Sequence, residues 1–276
     1  MERIADFVHR LLSEDIGRGD LFARCKAPKR AAAIVKTKND GIFAGEYYAQ
    51  AIAKEMNLDL EMRVKDGDVI KDGDILLDLR GSDITLLQTE RSLLNLLQHA
   101  SGIATNTRRY AYRLEGSGLI LLDTRKTRAH LRRLEKYATR VGGAVNHRFG
   151  LDDCLMIKDT HLATIDSLPQ FVAHARKQIP WTATIEIECE TIETAKAAFE
   201  AGADIVMCDN MSIDQIKEVV KLKNAISPAT KIEASGNITL ENIACYKDTG
   251  IDAISTGSLI HHAVWLDFSM KIVANG

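Results

Sequence analysis

Short apolar runs alternate with amphipathic segments through the carboxyl-terminal part of the chain. Six runs from residue 118 onwards predict buried strands: LILLDT, CLMIKDT, TIEIE, DIVMCDN, KIEASGN and AISTGS. Segments between them, such as TIETAKAAFEAGA and SIDQIKEVVKLKNAI, have helical periodicity. Near-continuous apolar strands separated by helices are typical of a parallel sheet that is covered on both faces. The pattern predicts an α/β barrel over residues 102–261, and six visible strands leave a closed eight-stranded barrel unestablished.

The first hundred residues have a different pattern, which predicts a separate α+β sandwich domain over residues 1–101. The stretch VKDGDVIKDGDILLDLRG repeats Lys-Asp-Gly-Asp between short apolar strands, and this predicts two tight turns. Biotinyl and lipoyl carrier domains have similar turns, but their modified lysine between methionines or acids has no counterpart here. The tail, residues 262–276, is expected to pack back on this domain.

A leucine-rich helix, LLQTERSLLNLLQHASGIATNT, follows the turns and carries one arginine among its core positions. Arg91 either extends its charged end to water along the apolar surface or reaches an anion at a domain or subunit boundary. Composition favours the first interpretation.

The region of residues 121–148 is strongly basic, with eight Lys or Arg residues against two acids in a chain of net charge −2. A helix is predicted from about Arg128 to Arg140, in which Arg128, Arg132, Lys136 and Arg140 recur every fourth residue. The simplest interpretation is a solvated helix face for Arg132, Arg133 and Arg140. Arg125 and Lys126 differ, because they directly follow the apolar strand LILLDT and are therefore held at its end.

Composition narrows the class of partner. The 276 residues are 46% hydrophobic, 27% charged and only 5% aromatic, as in an ordinary globular protein. A nucleic-acid-binding protein would be more basic, or would place stacking aromatics among its cations, so a small polyanion is the expected partner. No run is long enough for a membrane span. The five cysteines form no Cys-x-x-Cys pair, so a disulfide framework or zinc site is not indicated, and a cytoplasmic location is expected.

Each predicted strand of the barrel ends in polar residues, where loops of this fold gather an active site. The last two strands end in small-residue turns suited to phosphate, because backbone N–H groups can hold the anion. Glu188 and Asp209 either hold Mg²⁺ together with substrate oxygens or accept hydrogen bonds from sugar hydroxyls. The polar strand ends are Asp123 to Lys126, Lys158 with Asp159, Glu188, Asp209 with Asn210, Ser235-Gly236-Asn237 and Thr256-Gly257-Ser258.

Several motifs, in this order, closely resemble the quinolinate phosphoribosyltransferase family. They are ERSLLNLLQHASGIAT, DTRKTR, GGAVNHRFGLDDCLMIKDTH, EIECE, MCDN, EASGN and ISTGSL, preceded by EDIGRGD and DGIFAGE. The resemblance covers nearly the whole chain, and no charged motif position departs from it. Asn237 stands where many relatives have a second glycine, which makes its phosphate contact the least certain.

The resemblance implies a Mg²⁺-dependent reaction in NAD biosynthesis, in which quinolinate and phosphoribosyl pyrophosphate give nicotinate mononucleotide, pyrophosphate and CO2. Lys126, Glu188 and Asp209 would be catalytic, with the two carboxylates near the ribose and its metal. The dicarboxylate pocket would comprise Arg91, Arg125, His147, Arg148 and Lys158. Lys126 would also lie near the pyrophosphate, and Thr124 would be a further substrate-binding residue. The 5′-phosphate would be held by Ser235, Gly236, Asn237, Thr256, Gly257 and Ser258.

The family also implies a homodimer, or a hexamer built from dimers, in which the amino-terminal domain caps a partner's barrel. Arg91 would then complete a site across the interface. Two other functions are weighed. A Schiff-base aldolase would use Lys126 or Lys158 as its nucleophile, although the chain offers no obvious proton shuttle. A non-catalytic, metal-transport-associated relative would have lost its charged motifs, and these are intact.

Overall fold

The structure is a computed structural model that describes residues 3–273 and divides into two compact units. One unit comprises the described residues up to Asn106 and the segment that begins at Ala263; the other is Thr107–His262. The predicted boundary after residue 101 falls inside a helix that runs on to Leu114. The elements of the first part of the chain are α1 (Ile4–Ile16), β1 (Arg30–Thr37), β2 (Gly41–Ile42), α2 (Glu46–Glu55), β3 (Asp59–Met62), β4 (Val69–Ile70), β5 (Ile75–Ser82) and α3 (Asp83–Leu114), with a 3-10 turn at Phe22–Arg24.

The second unit alternates strands and helices, and one more strand follows it. Its elements are β6 (Ile120–Leu122), α4 (Arg132–Gly142), β7 (Leu155–Ile157), α5 (Asp159–Leu162), α6 (Leu168–Ala175), β8 (Ile185–Cys189), α7 (Ile192–Glu200), β9 (Ile205–Asp209), α8 (Ile213–Ile226), β10 (Lys231–Ser235), β11 (Ala253–Ser255), α9 (Ser258–His261) and the final strand β12 (Phe268–Val273), with a 3-10 turn at Ile243–Tyr246.

The first unit contains a four-stranded antiparallel sheet in the order β12-β1-β5-β3. The final strand β12 therefore pairs with β1 of this unit, opposite Ala32 to Thr37. Both predicted Lys-Asp-Gly-Asp turns are confirmed: the N–H of Asp68 donates to Lys65 O, and that of Asp74 donates to Lys71 O. Apolar side chains of β1, β5, α2 and α3 form the core of this unit.

The second unit contains a six-stranded parallel sheet in the order β6-β11-β10-β9-β8-β7, which confirms the α/β class and a strand number below eight. Val145 forms a parallel bridge with Leu122 beyond the edge of β6. Thr124, after β6, and Lys158, after β7, line one cavity although these strands are the two edges. The sheet is therefore curled into an open barrel.

The basic helix α4 differs from its prediction at its start and on its charged face. It begins at Arg132 rather than Arg128, because the main-chain N–H and Nη1 of Arg128 both donate to Glu135, at 2.9 and 2.8 Å, and His130 has a left-handed φ of 62°. Arg133 and Arg140 are exposed, but Lys136, which has the same fourfold spacing as Arg132 and Arg140, is fully buried and forms an ion pair with Asp123. Burial lowers the pKa of Lys136, and the ion pair with Asp123 opposes that shift.

The structure also describes the apolarity of the helices and the state of the cysteines. Within residues 3–273 no helix combines the length and apolarity that a membrane crossing needs. All five cysteines are free thiols, and Cys154, Cys189 and Cys208 are buried in the second unit.

Candidate active site

A cavity of about 340 Å³ lies at the carboxyl ends of the six parallel strands. Side chains of a strand alternate between its two faces, so residues two apart, such as Met207 and Asp209, point to the same interior. The cavity is lined by Thr124, Arg125, Lys126, His147, Arg148, Met156, Lys158, Glu188, Met207, Asp209, Ser235 and Ser255.

Nine of the fifteen residues expected at the site from sequence line this cavity: Thr124, Arg125, Lys126, His147, Arg148, Lys158, Glu188, Asp209 and Ser235. Five others belong to the two small-residue turns and do not line it. The remaining residue, Arg91, is an exposed residue of α3 in the first unit, where its guanidinium makes no hydrogen bond or ion pair with the described residues.

A tight loop presents the cations that follow β6. The Thr124 hydroxyl accepts a hydrogen bond from the N–H of Lys126 at 3.0 Å, and the N–H of Thr127 donates to Arg125 O at 2.8 Å. The stem of Lys126 runs close to Gly257, where an added Cβ would lie 2.9 Å from Lys126 Cδ. The loop therefore holds Arg125 and Lys126 at the strand end, where they are exposed to the cavity.

The opposite wall carries the two predicted carboxylates on adjacent strands. Glu188, at the end of β8, is mostly buried and ion-paired with Lys158. Asp209, at the end of β9, accepts a hydrogen bond from Asn210 Nδ2 at 2.7 Å. Cations and carboxylates thus face the same cavity, and Lys158 and Glu188 are already ion-paired with each other.

The first small-residue turn is connected to Asp209 by side-chain amides. Asn237 Nδ2 donates to Asn210 Oδ1 at 2.9 Å, and Asn210 in turn donates to Asp209. Asn210, Gly236 and Asn237 all have positive φ values, of 55°, 87° and 50°. Glycine and asparagine tolerate this left-handed backbone best, so asparagine can occupy the position where a second glycine was expected.

The second small-residue turn is held to the chain just after the first. Thr256 Oγ1 donates to Ile238 O at 2.9 Å, and Ser258 Oγ donates to the same carbonyl at 3.3 Å. Both residues are buried. Their hydroxyls are therefore turned into the fold, while Ser235 and Ser255, joined at 3.1 Å, lie at the cavity itself.

The sequence analysis missed the layer of side chains beneath this cavity. Glu186 and Glu233 are buried, and each lies two residues before a site residue, at Glu188 and Ser235. His147 Nε2 is 3.3 Å from a Glu186 oxygen and 3.4 Å from a Glu233 oxygen. The alternation in TIEIE and KIEAS was the available signal, since it places Glu186 on the same face as Glu188, and Glu233 on the same face as Ser235.

Both ring nitrogens of His147 are engaged. Nδ1 accepts a hydrogen bond from the N–H of Arg148 at 2.7 Å, so the ring proton lies on Nε2, between the carboxylates of Glu186 and Glu233. Burial lowers the pKa of His147, but hydrogen bonds to the two carboxylates outweigh it and raise the pKa to about 10. Because the Arg148 N–H donates to Nδ1, a second proton is disfavoured at that atom. Nε2 carries a proton whether the ring is neutral or charged.

Two family models match almost the whole chain. One, described as quinolinate phosphoribosyl transferase, C-terminal domain, covers residues 103–271, and the corresponding N-terminal domain model covers residues 20–101.

Individual relatives agree with the family models. The chain is 41% identical to a probable nicotinate-nucleotide pyrophosphorylase (carboxylating) of Bacillus subtilis (strain 168), with 98% of this chain and 93% of the relative aligned. The crystal structure of NadC from Streptococcus pyogenes superimposes with a TM-score of 0.91 at 38% identity, covering 99% of this chain and 98% of that one. A nicotinate-nucleotide pyrophosphorylase from Francisella tularensis is 30% identical with a TM-score of 0.90, over 98% and 96% of the two chains.

Proposed function

The chain belongs to the quinolinate phosphoribosyl transferase family, and on this premise we propose that it converts quinolinate and phosphoribosyl pyrophosphate to nicotinate mononucleotide, pyrophosphate and CO2 in NAD biosynthesis. The observation that carries the proposal is one cavity in which four cations, Arg125, Lys126, Arg148 and Lys158, face the carboxylates Glu188 and Asp209. Two polyanionic substrates need such cations, and a developing ribose cation needs such acids.

The cations that lack a carboxylate partner are the natural ligands of the quinolinate carboxylates. Arg125 offers a planar guanidinium that can hold a carboxylate at two points. Arg148 makes only weak contacts, at 3.4 Å to Cys154 O and 3.3 Å to Met156 Sδ, and can exchange them for a substrate. His147 has both ring nitrogens occupied and is left to contact the substrate ring through its carbon atoms.

Glu188 and Asp209 fit a magnesium site, because they are oxygen donors at the ends of neighbouring strands and line the same cavity. When bound there, Mg²⁺ would neutralise charge on the pyrophosphate leaving group. Lys126 would contact the same group. The N–H groups of Thr256 and Ser258 already donate to Leu122 O and Thr256 Oγ1, so the other N–H groups of the turns at 235–237 and 256–258 would hold the 5′-phosphate.

The reaction needs no covalent enzyme intermediate. The bond from the anomeric carbon to pyrophosphate breaks with its electron pair on pyrophosphate, and the pyridine nitrogen of quinolinate attacks that carbon. The quaternised ring then accepts the electron pair left when the adjacent carboxylate departs as CO2. Proton uptake at that carbon gives nicotinate mononucleotide. Lys158 is ion-paired with Glu188, so its amine is not free to attack a carbonyl group, which disfavours the aldolase alternative for this lysine.

The direct experiment is mass-spectrometric detection of nicotinate mononucleotide from purified protein, quinolinate, phosphoribosyl pyrophosphate and Mg²⁺. Nicotinic acid in place of quinolinate is the control substrate, and it should be poor because it lacks the second carboxylate. Borohydride trapping of a substrate on the protein, with no mononucleotide formed, would support the aldolase instead.

The metal assignment has its own test. Chelator-treated protein should be inactive and regain activity with Mg²⁺, and Asp209→Asn should weaken binding of Mn²⁺ measured by electron paramagnetic resonance. Glu193→Gln, an exposed residue of α7, is the matched control. Full activity in excess chelator would remove the metal from the proposal.

We also propose that the protein is a homodimer, or a hexamer of dimers, in which Arg91 completes the partner's quinolinate site. The guanidinium of Arg91 is exposed in the first unit and pairs with none of the residues 3–273, which supports this role.

A further inference from the structure

A second and larger cavity, of about 660 Å³, lies at the amino-terminal ends of the barrel strands. Its lining includes the first residues of several strands, among them Ile120, Ile205 and Lys231, whereas the candidate active site is at the other ends. Ile120 and Val145 line it and are 46% and 55% exposed, so the cavity opens to solvent. Its volume is that of an ordinary small-molecule site.

The inner end of this second cavity is acidic. Glu186 and Glu233 line it, and both side chains are almost completely buried, with exposed fractions of 0% and 3%. The Oε1 atom of Glu233 makes no hydrogen bond with any described residue. A buried carboxylate oxygen without a donor is costly, and a ligand that brings a donor or a positive charge would remove that cost.

Glu233 and Glu186 have one cationic partner within 4 Å among the described residues, His147, which they share through one nitrogen, Nε2. Arg148 and Lys231 line the same cavity but form no ion pair with either carboxylate. Burial raises the pKa of Glu233, and its hydrogen bonds with His147 and Ser255 only partly oppose that shift. A cation beside Oε1 would stabilise the charged form of Glu233.

A metal ion fits this position poorly. The three side chains have ligand atoms within 4.8 Å of one another, but a histidine that binds a metal through Nε2 must carry its proton on Nδ1. Here Nδ1 accepts the N–H of Arg148, so the proton is on Nε2, which faces the carboxylates. The wall around them is largely apolar and includes Leu122, Phe149 and Ile251, which suits a carbon skeleton.

We propose that this second cavity is a binding site for a small organic cation, with an ammonium group at Glu233 and Glu186 and an apolar body against the wall near Ile120. The proposed ligand takes no part in the proposed reaction, although His147 and Arg148 line both cavities. Binding can therefore be tested without any measurement of activity.

The experiment is a titration of the full-length protein with benzylammonium by isothermal calorimetry, with benzyl alcohol as the neutral probe of similar shape. We expect benzylammonium to bind at least about tenfold more tightly than benzyl alcohol. Glu233→Gln, which keeps the shape and removes the charge, should abolish that preference. Glu193→Gln, on the exposed face of α7, should leave it unchanged.

A second variant separates loss of the site from loss of the fold. Ile120→Trp fills the mouth of the second cavity and keeps both carboxylates, so it should weaken benzylammonium binding with little change in melting temperature. Equal affinity for the two probes, binding unaffected by Glu233→Gln, or tight binding of Zn²⁺ that depends on Glu233 would each overturn the proposal.

Discussion

At the scale of single residues, the cations of the candidate active site differ in whether they are already neutralised. Lys158 is paired with Glu188, and Lys136, behind the loop, is paired with Asp123. Arg125 and Lys126 are exposed to the cavity and form no ion pair with described residues. Their charge is therefore available to an anionic substrate, and Arg125 is the sharper test because its guanidinium can bind a carboxylate at two points.

Arg125→Ala should lower kcat/KM for quinolinate about 30- to 150-fold, because a charge-assisted contact contributes roughly 2 to 3 kcal/mol. Steady-state kinetics with varied quinolinate measure the effect. Arg140→Ala, an exposed arginine of α4 that does not line the cavity, is the matched control. Activity of Arg125→Ala within about threefold of that control would remove Arg125 from the pocket.

At the scale of elements, a buried polar cluster connects α4 to the end of β6, which carries the cations of the candidate active site. Asp123 forms an ion pair with Lys136. It also accepts hydrogen bonds from Thr139 Oγ1 at 2.9 Å, Asn146 Nδ2 at 2.6 Å and the N–H of His147 at 2.8 Å. One carboxylate thus joins β6, α4 and the segment that carries His147 and Arg148. Such a cluster is stabilising only while every partner is present.

Lys136→Met should lower the free energy of unfolding by about 3 to 5 kcal/mol, because it leaves Asp123 charged and buried without its partner. Urea denaturation measures this change. The double variant Lys136→Met with Asp123→Asn should recover part of the loss, and Arg140→Ala should change stability by less than about 0.5 kcal/mol. A Lys136→Met protein as stable as Arg140→Ala would mean that the pair contributes nothing.

The turn after β10 is the second element whose geometry the site requires. Gly236→Ala would place a Cβ 2.4 Å from Asn210 Oδ1 at a φ of +87°, so Asn210 and its bond to Asp209 must shift. We expect a loss of at least about tenfold in activity. Gly202→Ala, with a similar φ of +82° and no atom within 4 Å, isolates the backbone strain of about 1 to 3 kcal/mol. Equal activity of the two variants would contradict a role for the Asn210 contact.

At the scale of the whole molecule, the chain has two compact units. The proposed site combines the barrel unit of one subunit with the first unit of another. The barrel unit contains the cavity with its cations and acids. The first unit contains Arg91, which the cavity lining of this chain does not include. A shared site predicts complementation between defective subunits.

Arg91→Ala and Lys126→Ala should each assemble but lose most activity, and their mixture should recover up to roughly a quarter of wild-type activity. Random exchange makes about half of the dimers mixed, each with one intact site. Activity after demonstrated subunit exchange is the measurement.

The control for that experiment mixes Lys126→Ala with Asp209→Asn. Both changes lie in the barrel cavity, so every site of a mixed dimer keeps one defect and no activity should return. Failure of the Arg91 and Lys126 pair to exceed this control would assign Arg91 to its own chain's site or to none.

Prediction from sequence succeeded best where local periodicity sets the position of a side chain. The strand ends at Lys158, Glu188, Asp209 and Ser235 all line the expected cavity, because strands of a parallel sheet end at one edge. It gave no sign that Lys136 is buried, because this lysine has the same helical spacing as Arg132 and Arg140. The partner that stabilises this lysine in the interior, Asp123, lies on another element, and no local pattern indicates such a pairing.

The sequence by itself determined the α/β class, the family and the set of residues that can meet at the strand ends, because period-two alternation and chain order are local properties. Only the tertiary structure decided which charges are neutralised: Lys158 by Glu188, Lys136 by Asp123, and His147 between Glu186 and Glu233. Each of these pairings joins residues on different elements, so it depends on how the strands and helices pack. That packing also left Oε1 of Glu233 without a hydrogen-bond donor among the described residues.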